Sequence, residues 1–166
     1  GMRELSLYMF ARGCRRTAYI TGPAGVYTLD IRREGFIDAA GEFGIEPEVI
    51  EMEEVTYDAA CEAAEMIAAR GEHDSVICVN DMMALGVVNT FNRHGISIPG
   101  DISVSGFDDV VFAKASPSPL TTVSQDIEGM ARESIALLLR LISGTKPSEA
   151  PDVVLPPKLI IRQSTR

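Results

Sequence analysis

Short runs of β-branched and apolar residues recur along the 166-residue chain, each followed by a longer stretch whose apolar residues return at helical spacing. This alternation leaves few folds open. Strands that read as continuous apolar runs are buried on both faces, and the helices between them must cover a parallel sheet. Thr17–Thr21 (TAYIT) reads as one buried strand, closed by Gly22-Pro23, and Pro47–Met52 as a second. Val76–Val79 is the clearest of the set, and Ile102–Ser105 is another. Helices are expected over Glu4 to Ala11, Leu29 to Glu42, a Thr56-capped stretch ending at Ala69, and Asp81 to Arg93. The second carries Phe36, Ala40 and Phe43 toward the sheet. The third has a narrow stripe of Ala60, Ala63 and Ile67 suited to close packing, and the fourth presents Ala84, Val87, Val88 and Phe91 on one face. Thr121–Ser124 adds a short strand after a Pro-rich stretch. A long helix over Asp126–Ser143 follows, ended by Gly144, then a polar Pro/Gly-rich linker and a last strand at Lys158–Arg162. The fold class is α/β, a parallel sheet flanked by helices.

Composition narrows the function. A hydrophobic fraction of 46% and a charged fraction of 23% are those of an ordinary globular domain. The net charge of −9 opposes direct binding to nucleic acid, which depends on Lys and Arg neutralising phosphates. Cys14, Cys61 and Cys78 are odd in number, far apart and never in a Cys-x-x-Cys pair, which suits reduced thiols in the cytoplasm. His73 and His94 are isolated, so neither a metal site nor a cofactor is expected. The longest apolar run falls far short of the ~20 residues of a membrane span, and no signal-peptide pattern is seen. Gly1 before Met2 reads as a tag remnant.

In open α/β sheets ligands bind beyond the carboxyl ends of the strands, where loops and helix N-termini converge. Three segments fall there. In TGPAGVYTLDIRREG, Gly22 and Gly25 permit sharp turns, and Arg32 lies inside the following helix, its planar fork able to reach hydroxyls or a carboxylate. The Lys-Ser/Thr ending of a phosphate-binding P-loop is missing. In VNDMMALG, Asn80 and Asp81 end a buried strand and open a helix. In SGFDD, Asp108 can accept paired hydrogen bonds from sugar hydroxyls and Phe107 can stack on a ring face. Each also has a plainer account, which taken singly is the simpler one: Arg32 on a solvated helix face, Asn80 or Asp81 as an N-cap, Asp108 and Asp109 capping a Gly turn.

Together and in order, RGCRRTAYITGP, RREGF, VICVNDMMALG, HGISIPGDISVSGFDD, SPLTTVSQD and, more weakly, LPPKLIIRQST resemble the lactose/galactose/purine-repressor family of transcription regulators across nearly the whole chain. The resemblance implies a periplasmic-binding-protein-like core of type I, here its C-terminal subdomain only, and ligand contacts at Arg32, Asn80, Phe107 and Asp108, with Asp81 flanking. It implies that residues 1–125 and 153–166 form the effector-binding subdomain. Residues 126–152 would form a crossover helix and linker that pack on an N-terminal subdomain, and this subdomain, like the DNA-binding headpiece, lies outside this sequence. Two departures are Cys14, where such regulators often have His, and the loop Ala24–Thr28, which lacks their Ser-rich character.

The function so implied is non-enzymatic: sensing of a small polar metabolite, sugar or nucleoside-like, with DNA reached only through a headpiece and no membrane partner. A fragment of a sugar transporter's periplasmic binding protein is the alternative. An enzyme would need a nucleophile paired with a base, or facing carboxylates, and only Asp81, Asp108 and Asp109 cluster. The helix over Asp126–Ser143 has apolar residues around most of its circumference, so a homodimer is expected, with this helix in the interface. The resemblance adds the helix matching Asp81–Arg93 as a second dimer surface.

Overall fold

The computed structural model describes residues 1–144, 146 and 152–166. The elements run α1 (Met2–Ala11), β1 (Thr17–Thr21), α2 (Tyr27–Glu42), β2 (Glu48–Glu51), α3 (Tyr57–Arg70), β3 (Ser75–Cys78) and α4 (Asp81–Arg93). They continue with β4 (Ser103–Ser105), α5 (Val111–Ala115), β5 (Thr122–Ser124), α6 (Ile127–Ile142) and β6 (Lys158–Ile160). The first four strands form one parallel sheet in the order β2-β1-β3-β4, with Thr17 opposite Ser75 and Ser75 opposite Ser103. Strand β5 continues the parallel edge through a bridge between Ser105 and Thr121, and pairs antiparallel with β6.

The sheet is buried through its centre because β1, β3 and β4 are buried at every position. The chain runs from β1 outward to β2 and then back past β1 to β3, and because such crossovers are right-handed, α2 and α3 cover opposite faces. Helices α1 and α2 pack together on one face and α3 and α4 on the other. On the first face Tyr19 of β1 stacks on Phe36 of α2 at 4.9 Å, and Phe10 of α1 closes the cluster at 6.1 Å from Phe36. On the second, small residues bring the helices close: Ala60, Ala63 and Ala64 are fully buried, and a Cβ at Gly86 would lie 2.5 Å from the Tyr57 carbonyl oxygen.

Several boundaries follow the sequence reading, with Thr56 capping α3 by accepting the Ala59 N–H at 3.2 Å. Others move. Helix α1 begins at Met2, α2 at Tyr27, and the last strand stops at Ile160. The short helix α5 has no counterpart in the sequence reading. The linker expected between Gly144 and Lys158 falls partly at 145 and 147–151, outside the described residues. Helix α6 is caught at its start by Asp126, which accepts the Gly129 N–H at 2.9 Å, but Gly129 is the only residue it buries. Leu137 and Leu141 are half-buried, whereas Ile135, Leu138, Leu139 and Ile142 face outward, Ile142 being 73% exposed. No helix among the described residues is long and apolar enough to cross a membrane.

Candidate functional site

The strand order reverses between β1 and β3, and in a sheet of this kind the crevice opens beyond the carboxyl ends of those two strands. Arg32, in the second turn of α2, bridges that point. Its Nη1 donates to the Val79 carbonyl oxygen, just past β3, at 2.7 Å, and its Nη2 pairs with Asp108 Oδ1 at 3.2 Å. The guanidinium lies over the Phe107 ring, 3.8 Å from its centroid. Phe107 is buried, so its exposed edge is small and its face is already taken by the guanidinium rather than open to a ligand ring.

Asp108 reaches Arg32 from an unusual backbone. It has φ 111° and Asp109 has φ 55°, a left-handed pair of non-glycine residues in which Asp is tolerated better than most side chains. Such conformations cost on the order of 1–3 kcal/mol each and persist only where surrounding bonds hold them. Among those bonds, the Asp108 N–H donates to the Val123 carbonyl oxygen at 2.9 Å, the Gly106 N–H to the Thr121 carbonyl oxygen at 3.0 Å, and Arg162 pairs with the Asp109 carboxylate. Burial pushes the Asp108 carboxyl up from its usual range, and the adjacent Arg32 and the Gln125 amide oppose that rise. The carboxylate side chain remains 30% exposed and Arg32 18%, so both are reachable from the crevice.

Gln125 completes the cluster, its Nε2 donating to Asp108 Oδ1 at 2.8 Å. Its segment, SPLTTVSQD, carries the family resemblance, but Gln125 itself is not among the expected ligand contacts. The available signal was positional: Gln125 directly follows β5, as Asn80 follows the loop end of β3, at the same edge of the sheet. Asn80 is half-buried and N-caps α4, its Oδ1 accepting the Met83 N–H at 2.9 Å. Asp81 stands apart from the others. It is fully buried, and its carboxylate is engaged with the Thr122 hydroxyl at 2.6 Å and the Val110 N–H at 2.9 Å. Burial raises its pKa to about 6, against the pull of those two bonds and with a further push from Asp108 and Asp109. The structure thus brings Arg32, Phe107 and Asp108 together with Gln125, sets Asn80 beside them as a helix cap, and places Asp81 beneath them.

Two shallow hollows flank the Arg32–Asp108 pair. One of about 330 Å³ lies against Thr28, Arg32, Phe107 and Gln125, and the other, about 380 Å³, against Asp108, Asp126 and Lys158. A longer hollow of about 720 Å³ runs between α2 and α6, lined by Tyr27, Ile31, Met130 and Leu137. A hollow of about 590 Å³ at the opposite end of the sheet, near Arg15, Glu48 and His73, is far from this chemistry; His73 there bonds Glu48 at 2.9 Å. The hollows around this charged, aromatic-backed pair are open to solvent rather than enclosed.

Fold and site therefore define an open α/β ligand-binding module, with polar side chains gathered at the switch point of a parallel sheet. Residues 7–165 match the family of periplasmic binding protein-like domains. The chain belongs to that family, as an effector-binding core of the LacI/GalR type. It is 30% identical over 162 residues to the HTH-type transcriptional repressor CytR of Escherichia coli strain K12, covering 96% of this chain and 47% of that protein. The lac repressor dimer bound to operator and the anti-inducer ONPF superposes with a TM-score of 0.89 at 25% identity, covering 99% of this chain and 57% of the repressor's. A periplasmic binding protein/LacI transcriptional regulator from Alkaliphilus metalliredigens, complexed with D-xylulofuranose, gives 0.90 at 28% identity over 100% of this chain and 62% of its own. The chain spans about half the length of the curated relatives it matches.

Proposed function

We propose that this chain is the metabolite-sensing part of a LacI-type transcriptional regulator. It contributes one wall of a cleft for a sugar or nucleoside-like molecule through Arg32, Asn80, Asp108 and Gln125, with Phe107 backing the guanidinium. The observation that carries the reading is the Arg32–Asp108–Gln125 cluster at the switch point. It offers fixed donors and acceptors beside each other, the arrangement that recognises vicinal hydroxyls. The D-xylulofuranose held by the Alkaliphilus relative supports a polyhydroxylated ligand. Catalysis is not part of the reading, since the relatives are transcriptional regulators. The one thiol near the carboxylates, Cys78, is fully buried and held in its protonated form by desolvation.

In this reading residues 1–125 and 153–166 are the sensing subdomain, and residues 126–152 cross to a second subdomain that covers the outward face of α6. Contact with DNA belongs to a helix-turn-helix segment of the whole protein, because a chain of net charge −9 does not itself neutralise phosphates. The regulator works in the cytoplasm as a homodimer. An apolar groove of about 300 Å³ between Tyr57, Met82, Leu85 and Phe112, with Phe112 66% exposed, is the surface on α4 and α5 that supports pairing.

Binding is tested by NMR titration of the chain with pentoses, hexoses and nucleosides, following the amides of Arg32, Asn80, Asp108 and Gln125. Millimolar binding that perturbs these amides and disappears in Arg32→Ala and Asp108→Ala is expected, since an open wall encloses little of a ligand. A micromolar complex that survives both substitutions would refute the site.

A further inference from the structure

Asp81 is a fully buried carboxylate that lines none of the hollows described above, yet it is bonded to both flanks of the turn that carries Asp108. Its backbone N–H donates to the Phe107 carbonyl oxygen at 2.8 Å, on the near side of the turn. Its Oδ2 accepts the Val110 N–H at 2.9 Å, on the far side, where Val110 N-caps α5. Its Oδ1 accepts the Thr122 hydroxyl at 2.6 Å, tying both to β5. Between these two anchors sit the two left-handed residues, Asp108 and Asp109. Gly106 adds a steric argument: a Cβ there would stand 2.2 Å from Asp81 Oδ1, so the chain leaves out a side chain where this carboxylate must lie against the turn.

We propose that Asp81 is the positioning residue of the site: without touching a bound molecule, its carboxylate ties the Val110 end of the Phe107–Val110 turn to β5, while its N–H holds the Phe107 end, in the conformation that presents Asp108 to Arg32. The inference rests on the proposed function for its meaning, since it says how the sensing wall is held in shape. The geometry explains why a carboxylate is spent in the interior. A buried charge is tolerated only with hydrogen-bond donors around it, and here the donors are the Val110 N–H, directly after the two left-handed residues, and the Thr122 hydroxyl of β5. The titratable groups facing it are Asp108 and Asp109 from the turn, each paired with its own arginine, and the neutral Cys78 thiol from β3. No cation lies against Asp81 among the described residues, so its bonds to the turn and to Thr122 are what hold it.

The experiment needs no ligand, and so it separates this inference from the sensing role. Amide hydrogen exchange and the Arg32 Nε–H resonance are recorded by NMR for the wild-type chain, Asp81→Ala and Asp81→Asn. In Asp81→Ala the Val110 N–H is expected to exchange at least tenfold faster and the Arg32 Nε–H and Asp108 amide resonances to move, while core amides of β1 and β3 keep wild-type rates. Asp81→Asn is expected to restore the wild-type pattern, because an amide oxygen still accepts the Val110 N–H and the amide NH2 donates to the Thr122 hydroxyl. Wild-type exchange at Val110 in Asp81→Ala overturns the proposal. So does uniform acceleration of turn and core alike, which marks a merely structural residue. Failure of Asp81→Asn to rescue has the same consequence. If Asp81→Ala does not fold, Thr122→Val removes one arm of the clamp and is read in the same way: the Arg32 Nε–H moves if the proposal holds and stays in place if it does not. Loss of metabolite binding in every titration with this pattern intact refutes the sensing reading alone.

Discussion

Removing the Arg32 guanidinium while keeping its apolar stem, by Arg32→Met, isolates the interaction on which the site is built. Three contributions go with it. A charge-assisted hydrogen bond to the Val79 carbonyl oxygen at 2.7 Å is lost, a kind of bond worth about 1.5–3 kcal/mol. The cation over the Phe107 ring at 3.8 Å is lost as well, a contact worth about 1 kcal/mol when partly desolvated. The ion pair with Asp108 is the third. It counts for no more than about 1 kcal/mol, since that carboxylate is nearly a third exposed and screened by solvent. These contributions share one group and do not add, so urea unfolding should show a loss of about 2–4 kcal/mol in Arg32→Met. Combining it with Asp108→Asn in a double-mutant cycle should give a coupling of about 1 kcal/mol, shrinking as salt is raised. The Asp108 carboxyl supplies an independent check. Burial raises its pKa and Arg32 restrains the rise, so in Arg32→Met its carboxyl resonance should titrate at higher pH than in the wild type. A coupling below about 0.3 kcal/mol, the scatter of independent sites, together with an unmoved Asp108 titration, would refute the argument that this pair organises the wall.

Three further outcomes follow from separate parts of the molecule. The folded-state pKa of Asp81 is about 6, above the ~3.9 of an unfolded Asp, so the folded chain binds the extra proton between those values and the burial cost is fully present only above pH 6. Relative to wild type, Asp81→Asn should therefore be most favoured above pH 6, with the difference shrinking as pH falls toward 4; urea unfolding of both at pH 8 and pH 5 reads it, and an equal difference at the two pH values contradicts it. Gly86→Ala gains up to about 1 kcal/mol in helix propensity but thrusts a Cβ to 2.5 Å from the Tyr57 carbonyl oxygen. Overpacking there should win by about 1–2 kcal/mol and lower Tm by several degrees, and a raised Tm would mean that α3 and α4 are not so close. The chain by itself should self-associate through α6, where Leu138 is 56% exposed beside Leu139 and Ile142. Leu138→Glu should shift it toward monomer in light scattering coupled to gel filtration, and a wild-type monomer at high concentration counts against it.

The parallel sheet was legible because its central strands are covered on both faces, so that TAYIT and VICV read as unbroken buried runs. Helix α5 was not. Its five residues, VFAKA, follow two aspartates in left-handed backbone and precede a Pro-rich stretch, a context with no local helical signal. Its start is fixed by a bond from Val110 to Asp81, 29 residues away, which no local pattern encodes. The exposed face of α6 was legible for the converse reason: too many leucines and isoleucines for one buried stripe, so that some had to face outward from this half.

The site divides along the same line. Arg32 and Asp108 could be singled out through a family resemblance but not paired by it, because 76 residues separate them and only the fold makes Nη2 and Oδ1 neighbours. Phe107, expected to stack on a ligand ring, stacks instead on the Arg32 guanidinium. That occupancy follows from packing: an aromatic ring at the root of a charged pair shields one face of the cation and fixes its plane, leaving its in-plane donors to point at Val79 and Asp108. Asp81 shows the limit most clearly. A carboxylate at the first position of a helix ordinarily faces water and favours the helix dipole, so local sequence assigns it to the surface. Here the strand that supplies Thr122 and the turn that supplies Val110 close over it. A residue that looked like part of the binding surface becomes part of what holds that surface in shape, and only contacts distant in sequence distinguish the two.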